Sequence, residues 1–376
     1  MRFTISPDSF KGSLSAQQAS DVISEAVHSI MPEADCVQLP MADGGEGTID
    51  ALVHATNGNR IDLSITGPLG ERINTVMGIN GYTNEAILEV ASVCGMDQIE
   101  KDDLNPMNTT SYGLGELMKY ALDQGYNQLL IGLGGSVVND GGIGMLTALG
   151  ARFYDADGYT LEGYGRDLLL VDQVDFSNLD PRLKKSEIRV ASDVDNPLTG
   201  TNGATYVFGP QKGATKLMIQ KLDEAIKSYS SLVEDEIKGS FQFRPGVGAA
   251  GGLGFALMTI GAELKSGALL IASAIGLEQG IATSQLVITG EGKSDEQTLF
   301  GKAPSHVAQL SRHHQVGCLL ISGAIDDPEG KLRDVFSGVF STIQKPMSEE
   351  KSMENASDLL YQQTANIVHF YQNLSK

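Results

Sequence analysis

The first part of the chain alternates between strand and helix patterns. Residues 3–6 form a short apolar run, and apolar residues then recur at helical spacing over residues 15–30. A second strand is predicted at residues 36–39, followed by a second helix that ends at Asn57 and the glycine after it. This alternation is typical of parallel strands joined by crossover helices.

The C-terminal part of the chain repeats this alternation. Three short β-rich runs, QLVITGEG, GCLLISGA and GVFSTI, are separated by helical stretches. The apolar residues that the last helix places on one face are Leu360, Ile367, Val368, Tyr371 and Leu374. We therefore expect both ends of the chain to form halves of one parallel, Rossmann-like sheet.

The middle of the chain has a different pattern. From residue 61 to about residue 92, alternating strands are separated by the turn signals TGPLGER and INGYTNE, which favours antiparallel pairing. We predict an α/β protein in which residues 1–60 and 280–376 form a discontinuous parallel-sheet domain. Residues 61–279 are predicted to form an inserted α/β domain with mixed or antiparallel strands.

Length, composition and charge support a globular protein with small-molecule ligands. A chain of 376 residues exceeds what one hydrophobic core usually supports, so two domains are expected. With 41% hydrophobic and 20% charged residues, the composition is that of an ordinary globular protein. The formal net charge of −20 repels polyanions, which argues against nucleic acid or an anionic membrane as a partner.

Cysteine spacing and the first residues bear on the compartment. The 3 cysteines lie far apart without a CxxC pattern, so neither a disulfide framework nor a structural zinc site is indicated. The first residues already have a strand pattern instead of a signal peptide, and no apolar run reaches membrane-spanning length. We therefore expect a cytoplasmic protein.

Glycine- and aspartate-rich turns follow the predicted strands, and ligands of open parallel sheets bind beyond the carboxyl ends of the strands. The first such turn places Asp8, Ser9 and Lys11 before a helix, where backbone N–H groups and a lysine attract an anion. Asp8 is suited to bind a metal or to accept a proton. The alternative is a helix capped by Ser13 or Ser15 beside a solvated lysine.

The second turn is MADGGEGT. Gly44 and Gly45 allow the backbone to approach a ligand closely, and Asp43 and Glu46 flank them. The alternative is a tight strand-to-helix turn with Thr48 or Asp43 as the cap.

The third turn is GLGGSVVNDGG. Gly134 and Gly135 are expected to form an anion-binding nest beside Ser136. Asn139 and Asp140 pair an amide with a carboxylate, a combination able to hold Mg²⁺ or sugar-like hydroxyls. The run lacks the third glycine of the dinucleotide fingerprint, and the chain has no standard P-loop motif. A plain glycine-rich connector is the alternative.

The fourth turn is ASDVDNPLTG. Asp193 and Asp195 lie two residues apart, so they face the same way if the strand continues, which suits a hard cation. Asn196 follows them, and an Asx-turn before Pro197 is the alternative reading.

The fifth turn, GEGKSDEQTLFGKAP, combines charges of both signs. Glu291, Asp295, Lys293 and Lys302 on a glycine-rich loop fit a site for phosphate and metal, and a solvated loop is the alternative. Two further glycine-rich segments, FGPQKGA and RPGVGAAGGLGFA, hold few titratable groups, so we expect packing roles there. Lys212 is a candidate anion contact.

Carboxylate-bearing loops with lysines as cations and no nucleophile motif favour phosphoryl transfer to a hydroxyl. That reaction needs metal-held phosphates, in-line placement and a carboxylate to accept the hydroxyl proton. A nicotinamide-dependent oxidoreductase and a non-catalytic sugar-acid sensor remain alternatives, and the missing dinucleotide fingerprint counts against the first.

Eight separated motifs resemble the type I glycerate kinase family, in order from residue 3 to about residue 345. They are PDSFKGSLSA, PMADGGEGT, TGPLG, GGSVVNDGGIGML, DVDNPLTG, FGPQKGA, GAAGGLG and VITGEGKSDEQTLFGK. The resemblance implies two α/β domains, one flavodoxin-like and discontinuous, with the active site in the cleft between them. It also implies phosphorylation of D-glycerate by ATP and Mg²⁺, giving 2-phosphoglycerate. Ser192 and Glu296 depart from the family pattern, which commonly has cysteine and glycine there.

The residues and the resemblance together yield a set of candidate site residues. The candidate catalytic residues are Asp8, Lys11 and Asp193. The candidate metal ligands are Asp193, Asp195 and Asp295. The candidate substrate or nucleotide contacts are Ser9, Asp43, Gly44, Gly45, Glu46, Gly134, Gly135, Ser136, Asn139, Asp140, Asn196, Glu291 and Lys302. The expected partners are small molecules, D-glycerate and ATP, and homo-oligomer formation stays open.

Overall fold

Strands from both ends of the chain pair in one sheet in the computed structural model, which describes residues 1–10, 12–42, 44–299 and 302–374. The strands are β1 (Arg2–Ile5), β2 (Asp35–Gln38), β3 (Asn59–Thr66), β4 (Arg72–Ile79), β5 (Ala86–Glu89), β6 (Gln128–Gly132), β7 (Arg152–Tyr154), β8 (Gln173–Asp175), β9 (Glu187–Ala191), β10 (Glu263–Lys265), β11 (Leu286–Asp295), β12 (Gly317–Asp326) and β13 (Gly338–Ser341).

The α-helices are α1 (Ala16–Ile30), α2 (Thr48–Ala55), α3 (Val90–Cys94), α4 (Tyr112–Asp123), α5 (Ile143–Ala148), α6 (Ala204–Phe208), α7 (Lys216–Ile237), α8 (Ala249–Thr259), α9 (Gly267–Ala274), α10 (Leu277–Ala282), α11 (Ala303–His313), α12 (Glu349–Glu354) and α13 (Ala356–Leu374). Short 3₁₀ helices cover Met96–Gln98, Lys101–Asp103, Gly165–Leu169, Pro181–Lys185, Pro210–Lys212, Glu296–Leu299 and Lys331–Asp334. No helix among the described residues combines the length and the apolar character needed to cross a membrane.

The chain forms two compact units. Unit 1 consists of Met1–Asp43, Asp50–Thr56 and Ala268–Lys376, and unit 2 consists of Gly44–Ile49 and Asn57–Gly267. The predicted fold class, a discontinuous parallel-sheet domain with an inserted α/β domain, is confirmed. The domain boundaries read from the sequence stay a prediction.

Unit 1 contains a parallel sheet in the order β13-β12-β11-β1-β2. β1 lies inside the sheet, with Phe3 beside Leu286 on β11 and beside Cys36 on β2. β2 lies on one side of β1, and β11, β12 and β13 follow in turn on the other side. This is the flavodoxin-like strand order. In such sheets ligands bind beyond the carboxyl ends of the strands where the order reverses, here between β1 and β11.

α1 and α13 pack against the sheet of unit 1. Phe3 and Ile5 on β1 are fully buried with Ile23 of α1 and Leu360 of α13 in one apolar cluster. The predicted apolar face of α13 is buried at Leu360, Ile367 and Val368, whereas Leu374, near the end of the chain, is 69% exposed.

β11 is longer than its apolar run. The fifth turn was predicted to begin after Thr289, but the strand continues to Asp295 because it pairs with β12 as far as Asp326. Polar residues thus extend the sheet where the sequence pattern indicated a loop.

Unit 2 contains a mixed sheet in the order β10-β9-β6-β5-β4-β3. β3, β4 and β5 pair antiparallel, as the turn signals predicted, and β5, β6, β9 and β10 pair in parallel. β7 and β8 form a separate two-stranded ribbon. α8 is interrupted by left-handed backbone at Ala250, Gly251 and Gly252, and it is buried from Ala249 to Met258, which agrees with the packing role expected for its apolar, glycine-rich sequence.

Ser15 and Gln18 cap the start of α1 through hydrogen bonds in both directions, and this capping box can be tested by mutation. The Ser15 side chain accepts a hydrogen bond from the Gln18 N–H, and the Gln18 side chain accepts one from the Ser15 N–H. Because Ser15→Ala leaves an N–H at the start of α1 without its side-chain acceptor, we expect a loss of about 1 kcal/mol in the free energy of unfolding. Urea unfolding followed by far-UV circular dichroism measures it. Ser357→Ala, at an exposed serine of α13 in the same unit, is the control and should change stability by less than about 0.5 kcal/mol. Equal effects of the two variants would contradict the capping role.

Candidate functional site

The carboxyl end of β1 runs beside β11 at the point where the strand order of unit 1 reverses. The Asp8 N–H donates a hydrogen bond to the Gly290 oxygen at 2.8 Å, which brings Asp8 next to the segment that carries Glu291. The Ser9 N–H donates to the Asp8 carboxylate at 2.6 Å. Three candidate residues from the two ends of the chain therefore lie together at the predicted edge of the sheet. Lys11 lies outside the described residues.

The first turn is separate from the helix that it was expected to open. Phe10 and Leu14 form an isolated antiparallel bridge, and α1 begins only at Ala16 with Ser15 as its N-cap. Of the two caps considered from the sequence, Ser15 is the one observed. Ser15 and Gln18 cap the start of α1 reciprocally, and the predicted binding of an anion at this turn stays a prediction.

Glu291 is a buried carboxylate held in a fixed position. One of its oxygens accepts hydrogen bonds from the Ser294 hydroxyl at 2.9 Å and the Thr298 hydroxyl at 2.6 Å. Its other oxygen lies 3.8 Å from the Lys302 Nζ, and the Lys302 side chain is 40% exposed. This end of the sheet therefore carries a fixed negative charge and an accessible ammonium that can meet an anionic ligand.

The turn after β11 accommodates the departure at Glu296. The Asp295 carboxylate accepts a hydrogen bond from the Gln297 N–H at 2.9 Å, and the Glu296 carboxylate lies 2.8 Å from the Lys331 Nζ. Glu296 is not among the described residues with positive φ, so the backbone there does not require glycine. Glutamate at this position is thus compatible with the local conformation.

In unit 2, the second predicted turn packs directly on the ends of β6 and β9. The Gly134 N–H donates to the Gly44 oxygen at 3.0 Å. A Cβ atom on Gly44 would lie 2.7 Å from the Ala191 oxygen, and one on Gly134 would lie 2.4 Å from the Gly45 Cα. Side chains at these positions would exclude the contact. We call Gly44, Gly45, Gly134 and Gly135 the glycine rim.

Glu89 anchors the glycine rim, although no sequence motif marks it. It ends β5, is only 5% exposed, and accepts hydrogen bonds from the Gly47 N–H and the Ile49 N–H, each at 3.0 Å. These donors lie at the start of α2, where a carboxylate is favoured. The only sequence signal was an acidic residue at the end of an apolar strand. Glu46, predicted to contact the ligand, is exposed, and Asp43 lies outside the described residues.

Asp140 lies in the loop that joins β6 to α5. It is fully buried, and its carboxylate is hydrogen-bonded to other residues of unit 2. Its carboxylate accepts hydrogen bonds from the Ser111 N–H at 2.8 Å, the Ser111 hydroxyl at 2.7 Å and the Gly142 N–H at 3.0 Å. Burial raises the pKa of the Asp140 carboxyl, and the hydrogen bonds from Ser111 and Gly142 oppose that shift. The Asn139 amide donates to the Thr205 hydroxyl at 3.0 Å. These contacts favour a role in shaping the loop, and the predicted contact with a ligand stays a prediction.

The residues after β9 are positioned by the neighbouring strand end. β9 ends at Ala191, so strand alternation does not fix the directions of Asp193 and Asp195, and both are exposed. The Asp193 carboxylate accepts hydrogen bonds from the Ser266 hydroxyl at 3.0 Å and the Gly267 N–H at 2.8 Å. The departure at Ser192 leaves the strand pairing intact, because Ser192 pairs with Lys265 through its backbone N–H.

These two carboxylates are of the type that Mg²⁺ binds. Mg²⁺ usually takes one or two protein carboxylates and completes its shell with water and substrate phosphate oxygens. Exposed Asp193 and Asp195 fit that requirement. Asn196 donates through its amide to the Asn202 oxygen at 2.8 Å, which fixes the turn that follows them.

Glu89 provides a test of how the glycine rim is held. Glu89→Ala leaves two N–H groups without their carboxylate acceptor, so we expect a loss of at least about 2 kcal/mol in the free energy of unfolding. Glu89→Gln keeps an acceptor oxygen and should cost about half as much. Urea unfolding measures both, with Glu187→Ala, at an exposed residue of β9, as the control. A Glu89→Ala variant as stable as the control would contradict the anchoring role.

The sheet orders and the loops at the strand ends are those of an α/β protein. In open parallel sheets of this kind, ligands bind beyond the carboxyl ends of the strands. A family model described as the glycerate kinase family matches residues 3–372. The chain belongs to the glycerate kinase family, and it is therefore an enzyme of the kinase type, as the sequence predicted.

Individual relatives match over nearly their whole length. A glycerate 2-kinase of Escherichia coli is 41% identical over 369 residues, which cover 98% of this chain and 97% of that protein. A glycerate kinase of Bacillus subtilis is 42% identical over 362 residues, which cover 96% and 95%. The crystal structure of a protein assigned as glycerate kinase 2 of Salmonella typhimurium LT2 is similar with a TM-score of 0.89 at 40% identity, covering 100% of this chain and 99% of that one.

Proposed function

We propose that the protein transfers the γ-phosphoryl group of ATP to the 2-hydroxyl of D-glycerate, giving 2-phosphoglycerate and ADP. The observation that carries this proposal is the 41% identity to a glycerate 2-kinase across 98% of the chain. In the reaction, a bond forms between the glycerate O2 and the γ-phosphorus, and the bond from that phosphorus to the β–γ bridging oxygen breaks. The hydroxyl proton passes to a carboxylate.

The two units supply the kinds of groups that this reaction needs. Phosphoryl transfer depends on donors and cations around the phosphates and on in-line placement of the acceptor. Lys302 is proposed to contact phosphate or carboxylate oxygens, because its ammonium is accessible and lies beside a carboxylate held by Ser294 and Thr298. Within the glycine rim, Gly135 is exposed and is proposed to offer its backbone N–H group to an anionic part of either substrate.

Aspartates are proposed to handle the metal and the proton. Asp193 and Asp195 would hold Mg²⁺, which neutralises phosphate charge when bound. Asp8 and Asp193 are the candidates for accepting the hydroxyl proton, and Asp295 is a further candidate metal ligand. The oxidoreductase and sensor alternatives gain no support from the family match, which is to kinases.

A coupled assay tests the proposed reaction. With D-glycerate, ATP and Mg²⁺, we expect release of ADP in a one-to-one ratio with 2-phosphoglycerate, identified by enzymatic or NMR analysis of the product. Removal of Mg²⁺ with EDTA should abolish turnover, and Asp193→Asn should reduce it strongly, because both remove neutralisation of the phosphate charge. Formation of 3-phosphoglycerate would contradict the assigned position, and no turnover with D-glycerate would contradict the substrate.

Lys302 offers a test of whether an ammonium group at the edge of the unit 1 sheet contributes to the binding of an anionic substrate. Lys302→Met removes an ammonium from an anionic substrate, so we expect kcat/KM to fall roughly 10- to 100-fold, as for loss of a charge-assisted hydrogen bond. The control is Lys331→Met, since Lys331 is exposed and pairs with Glu296 and Glu329. Steady-state kinetics with each substrate varied in turn would reveal the difference. Equal kcat/KM values for the two variants would remove Lys302 from the proposed mechanism.

A further inference from the structure

Lys212, a candidate anion contact from the sequence, is buried inside unit 2. Its side chain belongs to the FGPQKGA segment, and the residue is only 2% exposed. Among the described residues, the Lys212 Nζ contacts a hydroxyl and a carbonyl oxygen and forms no ion pair with a carboxylate. Burial lowers the pKa of the Lys212 ammonium to about 8, and Asp140 lies near enough to oppose that shift. The molecule thus carries an interior ammonium without a direct ion pair.

This ammonium is directed at the loop that carries half of the glycine rim. The Lys212 Nζ donates hydrogen bonds to the Val138 oxygen at 2.6 Å and to the Ser136 hydroxyl at 3.0 Å. Both acceptors lie within four residues of Gly134, the glycine in contact with Gly44. The lysine therefore fixes the backbone immediately after the rim.

The segment around Lys212 is shaped to hold it there. Lys212 ends a 3₁₀ turn, and Gly213 follows with a φ of +88°, where a Cβ atom would lie 2.1 Å from the Leu104 oxygen. Upstream, Thr205 contacts Asn139 at 3.0 Å. The segment from Thr205 to Gly213 thus holds the loop at two places, on each side of Val138.

An ammonium is an expensive way to satisfy these acceptors. A neutral amide could donate to the same carbonyl and hydroxyl without removing a full charge from water, and burying a charge is costly even where a carboxylate such as that of Asp140 lies near it. The positive charge itself is therefore the property that needs explaining. At Ser136, the residue after the exposed Gly135, this charge adds an attractive field for an anion without touching it.

We propose that Lys212 is a positioning residue whose ammonium holds residues 136–138 in the shape that lets the glycine rim bind an anionic group of the substrate or nucleotide. The proposal rests on the proposed phosphoryl transfer and adds to it a residue that contacts neither reactant. It differs from a purely structural role, because it links Lys212 to the affinity for an anion as well as to stability.

Two substitutions separate the hydrogen bonds from the charge. Lys212→Met removes both, whereas Lys212→Gln keeps a donor and removes the charge. The control is Lys216→Met, a nearby exposed lysine at the start of α7. If Lys212→Met fails to fold, as judged by circular dichroism, Lys212→Gln carries the comparison.

Kinetics and hydrogen exchange are both measured. We expect the KM for at least one substrate to rise 10-fold or more in both Lys212 variants, with a smaller change in kcat and no change in the control. Hydrogen–deuterium exchange in the absence of ligand should be faster for peptides covering residues 134–142 in Lys212→Met only, because only that variant loses both hydrogen bonds.

Each outcome bears on one claim. KM values within 3-fold of the parent would overturn the positioning role, even if the melting temperature changed. Unchanged exchange over residues 134–142 would overturn the claim that Lys212 holds the loop, whether or not the parent is active. If the parent protein itself gave no turnover, the proposed function would fail, and the exchange result would still decide whether Lys212 fixes the loop.

Discussion

The contact between two glycine turns is the feature on which the candidate site of unit 2 depends. The Gly134 N–H meets the Gly44 oxygen at 3.0 Å only because neither residue has a side chain in the way. That approach brings a turn from the start of the chain onto the ends of β6 and β9. The Glu89 carboxylate then fixes the turn by accepting hydrogen bonds from the Gly47 and Ile49 N–H groups. The rim is thus a close backbone contact, in which Gly44 and Gly45 are buried and Gly135 is exposed.

In unit 1, charged side chains and not glycine turns form the candidate site at the edge of the sheet. Its strand order reverses between β1 and β11, so the chain leaves Asp8 and Glu291 side by side at one sheet edge. Glu291 is immobilised by two hydroxyl groups, and Lys302 beside it stays accessible. Glu291 and Lys302 thus place charges of both signs at the sheet edge, and phosphoryl-transfer enzymes depend on charged groups held in fixed positions.

Local patterns predicted the fold because they depend on neighbours in sequence. The strand–helix alternation and the antiparallel pairing of β3 and β4 follow from periodicity and turn residues, and the burial of α8 follows from its apolar, glycine-rich composition. Features set by distant contacts were not predictable. Glu89 accepts a hydrogen bond from a residue 40 positions earlier, and Asp140 accepts one from Ser111. Lys212 donates a hydrogen bond to a loop residue 74 positions earlier. β11 runs past its apolar core because β12 pairs with it.

NMR of protein labelled with ¹⁵N-glycine tests most directly whether the glycine rim binds an anionic group. Titration with MgADP and with D-glycerate should shift the amide signals of Gly44, Gly45, Gly134 and Gly135 more than those of Gly125 and Gly158, which have open space around them. Saturating ligand that leaves the four rim signals unchanged while shifting other glycines would contradict the account.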